Sequence, residues 1–201
     1  MASNSKGSSR QAIIDASFTV IARNKISGTN LREIAKQAGI SLGTLHYYFP
    51  SKAELLLALL DYMREIFSEG QREISERPLT QLEKLYHFFL QEKRYLVEQR
   101  QMLEVFFDFW SQGLQDSDIQ FRIQLIYDRW RQDIEAVVVE GVQTGEFDPQ
   151  VAPMIPALMV ATMEGAALQY LMDNSVFDLD EYFETSHKMM MRLVGVAESR
   201  G

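Results

Sequence analysis

From Ile13 onward, apolar positions recur every three to four residues. This spacing predicts helices, and no strand signal interrupts it beyond Leu56. A first helix follows a cap at Ser8 or Ser9 and keeps its apolar spacing through Ile13, Ile14, Ser17, Phe18 and Ile21 up to Asn24. From Asn30 to Phe49 the pattern predicts two short helices joined by a tight turn. Leu31, Ile34, Ala35 and Ala38 make one apolar stripe, Asn30 caps it, and Glu33 is placed to reach back to the cap amide. Gly39 supplies a left-handed residue to end that helix, Ile40 plugs the angle, and Ser41 caps the second helix. Leu45 and Phe49, four apart, face inward. At about 100° per residue, Gly43 and Tyr47 then point outward, flanked by Thr44 and His46.

Pro50 disfavours helical geometry at the residue before it, and Ser51 with Glu54 makes a second capping box. A helix from Lys52 to Gly70 follows. Further helices are predicted from Pro78 to about Arg100, Met102 to about Gly113, Asp118 to about Thr144, Pro149 to about Met172 and Asp180 to about Ala197. The long helix after Asp118 carries Ile119, Ile123, Ile126, Trp130, Ile134 and Val137 on one stripe. The expected fold is all-α with about nine helices: an arm over residues 1–8, a three-helix unit over 9–51, and a larger helical bundle over 52–201.

With 201 residues and 46% apolar composition, the chain can bury one sizeable core or two small ones. Its net charge of −8 hides an asymmetry. Met1 to Leu56 carries seven lysines and arginines against three carboxylates, a net of +4, which leaves −12 for the remainder. A basic head on an acidic body suits local phosphate attraction. The chain has no cysteine, which excludes disulfides, thiolate metal sites and cysteine nucleophiles and suits a reducing cytoplasm. Residues 1–9 hold no apolar run and are expected to be an arm rather than a secretory signal. Lys6 and Arg10 either belong to that arm or touch the DNA backbone. The stretch Val151–Met172 is long and apolar, but Glu164, Pro153 and Pro156 lie inside it and acidic residues flank it. It is expected to be a buried helix and not a membrane span.

Two short helices at this spacing are a helix-turn-helix, a device for laying one helix in the DNA major groove. Arg32 has the fork that reads guanine O6 and N7, Thr44 can contact a thymine methyl, and Gly43 lets the backbone approach closely. Lys52 stands in a first helical turn, the unfavourable end of the dipole for a cation, where a bound phosphate would explain it.

Residues 9 to about 56 resemble the tetracycline-repressor (TetR) family of bacterial regulators. The resemblance rests on Gly28-Thr-Asn-Leu-Arg-Glu-Ile-Ala, Ala38-Gly-Ile-Ser, and Gly43-Thr-Leu-His-Tyr-Tyr-Phe-Pro-Ser-Lys52-Ala-Glu-Leu-Leu, in order and without gaps. It implies that Arg32, Leu42, Gly43, Thr44, His46 and Tyr47 lie near DNA, and that Asn30, Tyr48 and Lys52 hold phosphates. His46 stands where the family most often has an aromatic residue. The resemblance also implies a cytoplasmic homodimer that represses transcription and releases DNA when the larger domain binds a small molecule.

The body carries two further patterns. Ala157, Ala161 and Gly165 repeat every fourth residue beside Leu158 and Leu168; with Met190 and Leu193 of the last helix they could form a four-helix dimer interface. Recognition helices about 34 Å apart in such a dimer would read a palindromic operator. Aromatic and methionine residues also concentrate near a few carboxylates. Phe89, Met102, Glu104, Phe106, Asp108, Phe109, Trp110, Tyr127, Trp130 and Met163 are the candidate effector pocket, and rings beside a carboxylate favour a cationic ligand. No cofactor is expected. His46, His87 and His187 fall in different helices, with no spacing that makes a catalytic set or a metal motif. A helical adaptor for protein partners, an enzyme, and a metal site assembled in three dimensions remain as alternatives.

Overall fold

A computed structural model describes residues 2–150 and 153–195. Among them are nine helices: α1 (Ala2–Gly28), α2 (Leu31–Gln37), α3 (Leu42–Tyr48), α4 (Lys52–Ser75), α5 (Gln81–Glu98), α6 (Arg100–Gly113), α7 (Ser117–Gln143), α8 (Ile155–Met172) and α9 (Leu179–Leu193). α1 begins at Ala2, so positions 2–8, expected as an arm, continue that helix; Met1 lies outside the described residues.

The helices fall into two compact units. The first holds residues 1–65 and 100–124, the second 66–99 and 125–201, so α4 and α7 each belong partly to both. This differs from a single boundary at residue 51 or 52. The reason is α6, which packs against α1 although more than seventy residues separate them.

In the first unit the stripe of α1 is buried as its spacing requires: Ile13, Ile14 and Ile21 are fully enclosed, and buried Ser17 satisfies its hydroxyl on the Ile13 carbonyl at 2.7 Å. α4 adds Leu55, Leu59, Leu60 and Met63 to this core.

In the second unit α5 packs against both α8 and α9. α5 begins later than its proline suggested. Thr80 and Glu83 form a reciprocal capping box, leaving Pro78 outside the helix. The Glu146 carboxylate accepts the next two free amides, Gln81 N–H at 2.9 Å and Leu82 N–H at 2.8 Å, so a distant acid completes the cap. α8 is apolar on nearly every side and long enough to cross a membrane. Its Met159, Met163, Ala166 and Ala167 instead fill the core of the unit. The segment before it includes positions 151 and 152, and the tail expected to extend to Ala197 includes position 196 onward; both lie outside the described residues.

Candidate nucleic-acid interface

The hairpin of α2 and α3 is fixed by its caps. Asn30 Oδ1 accepts the Glu33 amide at 3.0 Å and Ser41 Oγ accepts the Thr44 amide at 3.0 Å. The Glu33 carboxylate does not return to its own cap; it takes Asn24 Nδ2–H at 2.7 Å and ties α2 to α1. Gly39 has φ +68°, a conformation glycine enters without a Cβ clash, which lets the chain turn. Leu45 and Phe49 are buried in the seam.

That packing leaves one face of α3 outward. Gly43, His46 and Tyr47 are exposed, Leu42, Thr44 and Tyr48 are half-buried, and Arg32 and Asn30 are exposed on and before α2. Tyr47 is 67% exposed, and its ring meets that of Tyr48 edge to face at 5.2 Å, which limits the rotation of both. His46 Nδ1 lies 3.2 Å from the Pro50 carbonyl oxygen, and Arg10 stacks its guanidinium on Phe49 at 5.4 Å.

Lys52 departs from its expected role. Its ammonium donates to the carbonyls of Ile26 and Thr29, both at 2.6 Å, and partial burial lowers its pKa. Carbonyls at and just beyond the end of α1, where the helix dipole is negative, are a better partner for a cation than the start of its own helix. Beside them, Lys25 adopts φ 60° and ψ 166°, the only non-glycine residue of positive φ among those described. The Ile26 amide that follows the kink donates to Asp108 Oδ2 at 2.6 Å.

Asp108 therefore closes the end of α1, a correction to its reading as a pocket carboxylate. The other expected pocket residues divide between the two units. Glu104 pairs with Arg100 one turn away at 2.9 Å, and Trp110 is 41% exposed. Met102, Phe106 and Phe109 are core residues of the first unit. Phe89, Tyr127, Trp130 and Met163 belong to the second. There Tyr127 donates to the Glu164 carboxylate, and buried Gln71, in the amide orientation that pairs both of its ends, accepts from Trp130 Nε1 at 2.9 Å and donates to Asp133 Oδ2 at 2.8 Å. Gln71, Glu92 and Glu164 were not singled out as site residues. The signal was present, since each is a polar residue on an otherwise apolar helical face.

Residues 13–59 match the family described as bacterial regulatory proteins, tetR family, and residues 81–195 match the BetI-type transcriptional repressor C-terminal family. The chain belongs to the TetR family. The fatty acid metabolism regulator protein of Bacillus subtilis is 27% identical over 175 residues, covering 83% of this chain and 86% of its own length. The crystal structure of FadR from Bacillus subtilis in complex with stearoyl-CoA superposes with a TM-score of 0.76 at 22% identity, covering 94% and 99% of the two chains. A transcriptional regulator from Saccharomonospora viridis in complex with choline gives a TM-score of 0.81 at 22% identity over 92% and 96%.

As a TetR-family member, the protein is a DNA-binding transcriptional regulator rather than an enzyme. This TetR-family chain also carries an apolar face on its last two helices. Leu158, Ala161, Leu168, Met189 and Leu193 are exposed, Ala157 and Gly165 are half-buried, and a Cβ added at Gly165 meets nothing. Met190 does not belong to that face. It is fully buried, as is Phe183 seven residues earlier, because the helical spacing puts both on the inner side of α9, the helix that packs against α5 and α8.

Proposed function

We propose that the protein is a homodimeric repressor of a palindromic operator, released when the second unit binds a small molecule. The observation that carries the reading is the α3 face. Gly43, Thr44, His46 and Tyr47 stand outward on a hairpin locked by two caps, with Arg32 exposed nearby to read guanine. Asn30 and Tyr48 serve as phosphate contacts that set register without reading sequence. Leu158, Leu168 and Leu193 supply apolar area for a two-fold interface with a second copy, and the open space at Gly165 permits close helix approach. A DNA partner and the absence of cysteine suit a cytoplasmic protein. The relatives bound to stearoyl-CoA and to choline support a small-molecule effector in the second unit. α4 runs from one unit into the other and is the lever between ligand and DNA.

Selection of DNA from a random pool by the purified protein, followed by sequencing, tests the reading. The expected product is two inverted half-sites centred about 34 Å apart. Arg32→Ala should relax preference at one base pair per half-site, and Leu168→Glu should yield monomers in sedimentation equilibrium. Selected DNA without dyad symmetry, or a wild-type monomer at micromolar concentration, would overturn the dimeric reading.

A further inference from the structure

The outward face of α3 carries one polar atom whose hydrogen-bonding sense is fixed before any partner arrives. His46 is exposed, and its Nδ1 lies 3.2 Å from the Pro50 carbonyl oxygen. A carbonyl oxygen only accepts, so Nδ1 carries the proton and donates, and in the neutral ring Nε2 is left as a pure acceptor. The carbonyl that selects this tautomer is itself held in place. Pro50 stands between buried Phe49, whose amide donates to the Leu45 carbonyl at 2.9 Å, and Ser51, whose Oγ caps α4 by accepting the Glu54 amide at 3.1 Å. Nε2 has no partner among the described residues. The other polar groups on this face are less committed. The hydroxyls of Thr44, Tyr47 and Tyr48 can donate or accept, and Thr44 already shares a 2.8 Å hydrogen bond with Ser41. Gly43, one turn before His46, leaves room for a base edge: a Cβ added there would meet only Ser41 Oγ, at 3.7 Å.

The geometry points to His46 as a specificity-determining residue of the operator contact, with Nε2 accepting a hydrogen bond from the N4 amino group of a cytosine in the major groove. This inference rests on the reading that α3 lies in that groove, and it adds the base that one residue selects. The groove offers an acceptor only two donors, cytosine N4 and adenine N6. Guanine N7 and O6 and thymine O4 are acceptors themselves and repel it. Adenine N6 lies between its own N7 and the O4 of its thymine, so an incoming acceptor meets a like group on either side. Cytosine N4 has one such neighbour, the O6 of its guanine. Asn and Gln read adenine because their amide supplies a donor for N7 together with an acceptor for N6. The His46 ring, with its one donor engaged by Pro50, has no second group to supply.

A purely structural His46 has a different signature. If the ring did no more than tie the end of α3 to Pro50, removing it would weaken binding to every sequence by the same factor. A ring that reads cytosine changes the preference at one position of each half-site and leaves the other positions as they were.

Selection from a random DNA pool at about pH 8, where an imidazole is neutral, tests this with the full-length wild type, His46→Phe and His46→Lys. The Phe variant keeps a ring and removes both nitrogens, and the Lys variant puts donors in place of the acceptor. The wild type is expected to select cytosine at one position per half-site. That position should become indifferent in His46→Phe and turn to guanine or thymine in His46→Lys, with the remaining positions unchanged. Replacing the selected cytosine by pyrimidin-2-one, which lacks the N4 amino group, should weaken wild-type binding about three- to tenfold, the worth of one hydrogen bond. His46→Phe, measured on the same two duplexes, should not tell them apart, which controls for the weaker base pair. The analogue is read by the wild type, so this arm does not depend on the folding of a variant. Equal wild-type affinity for the two duplexes overturns the proposal. A uniform loss of affinity in His46→Phe with every base preference kept overturns it too, yet leaves the palindromic operator standing. Failure of the wild type to select any sequence overturns both this proposal and the broader reading.

Discussion

Asp108 of α6 accepts the backbone amide of Ile26 in α1 at 2.6 Å, across 82 residues of sequence. The bond lands one residue after the kink at Lys25, whose neighbouring carbonyls are held by Lys52. An acid from α6 and a cation from α4 thus secure the end of α1 from opposite polarities, and they set the starting point of the recognition hairpin.

Removing the Asp108 carboxylate leaves a partly buried amide without its acceptor, and such a loss costs about 1–3 kcal/mol. Asp108→Ala should lower unfolding free energy by that order in urea titration. An unchanged midpoint would mean that water replaces the bond without loss.

Lys25 occupies a backbone region that is open to glycine and unfavourable for other residues by roughly 1–3 kcal/mol. Its side chain is exposed, so little is given up on truncation. Lys25→Gly should raise stability by about 1 kcal/mol after the entropy of the unfolded glycine is subtracted. Thermal denaturation checks this, and a lowered Tm counts against strain at this position.

Lys52→Gln shortens the side chain and removes its charge from the Ile26 and Thr29 carbonyls. A loss of about 1–3 kcal/mol is expected, in line with hydrogen bonds to charged groups. The salt dependence of operator binding should change little, because the ammonium is already engaged. A slope reduced by about one with stability intact would return Lys52 to a phosphate contact.

Glu92 has a folded-state pKa of about 8, above the ordinary 4.5. The folded protein therefore holds a proton that the unfolded chain releases. This contribution to stability is complete below pH 4.5 and is lost as the pH climbs towards 8. Unfolding free energy measured from pH 5 to 8.5 should fall more steeply for the wild type than for Glu92→Gln. Parallel curves would place the proton elsewhere.

The recognition hairpin was legible in the chain because its determinants are local. Asn30, Gly39, Ser41, Leu45 and Phe49 each act within one or two turns, so caps, turn and apolar seam can be read in order. The exposed positions of α3 followed from the same periodicity. Met190 shows where this logic ends: an apolar residue on an amphipathic helix can face the core or a partner, and only the packing of α9 within the second unit chose the core.

Charged residues with long-range partners were the least legible. By sequence Lys52 stood at the wrong end of a helix and Asp108 stood among rings, and both facts suggested ligands. Each is instead satisfied by the end of α1, at separations of 23, 26 and 82 residues. Glu146 on the α5 terminus belongs to the same class. The sequence by itself determined the helices, the capped hairpin and its outward face, because backbone hydrogen bonding and apolar periodicity act over a few residues. Tertiary structure alone decided which charge meets which, because the desolvation and pairing of a charge depend on helices that the chain brings together from far apart.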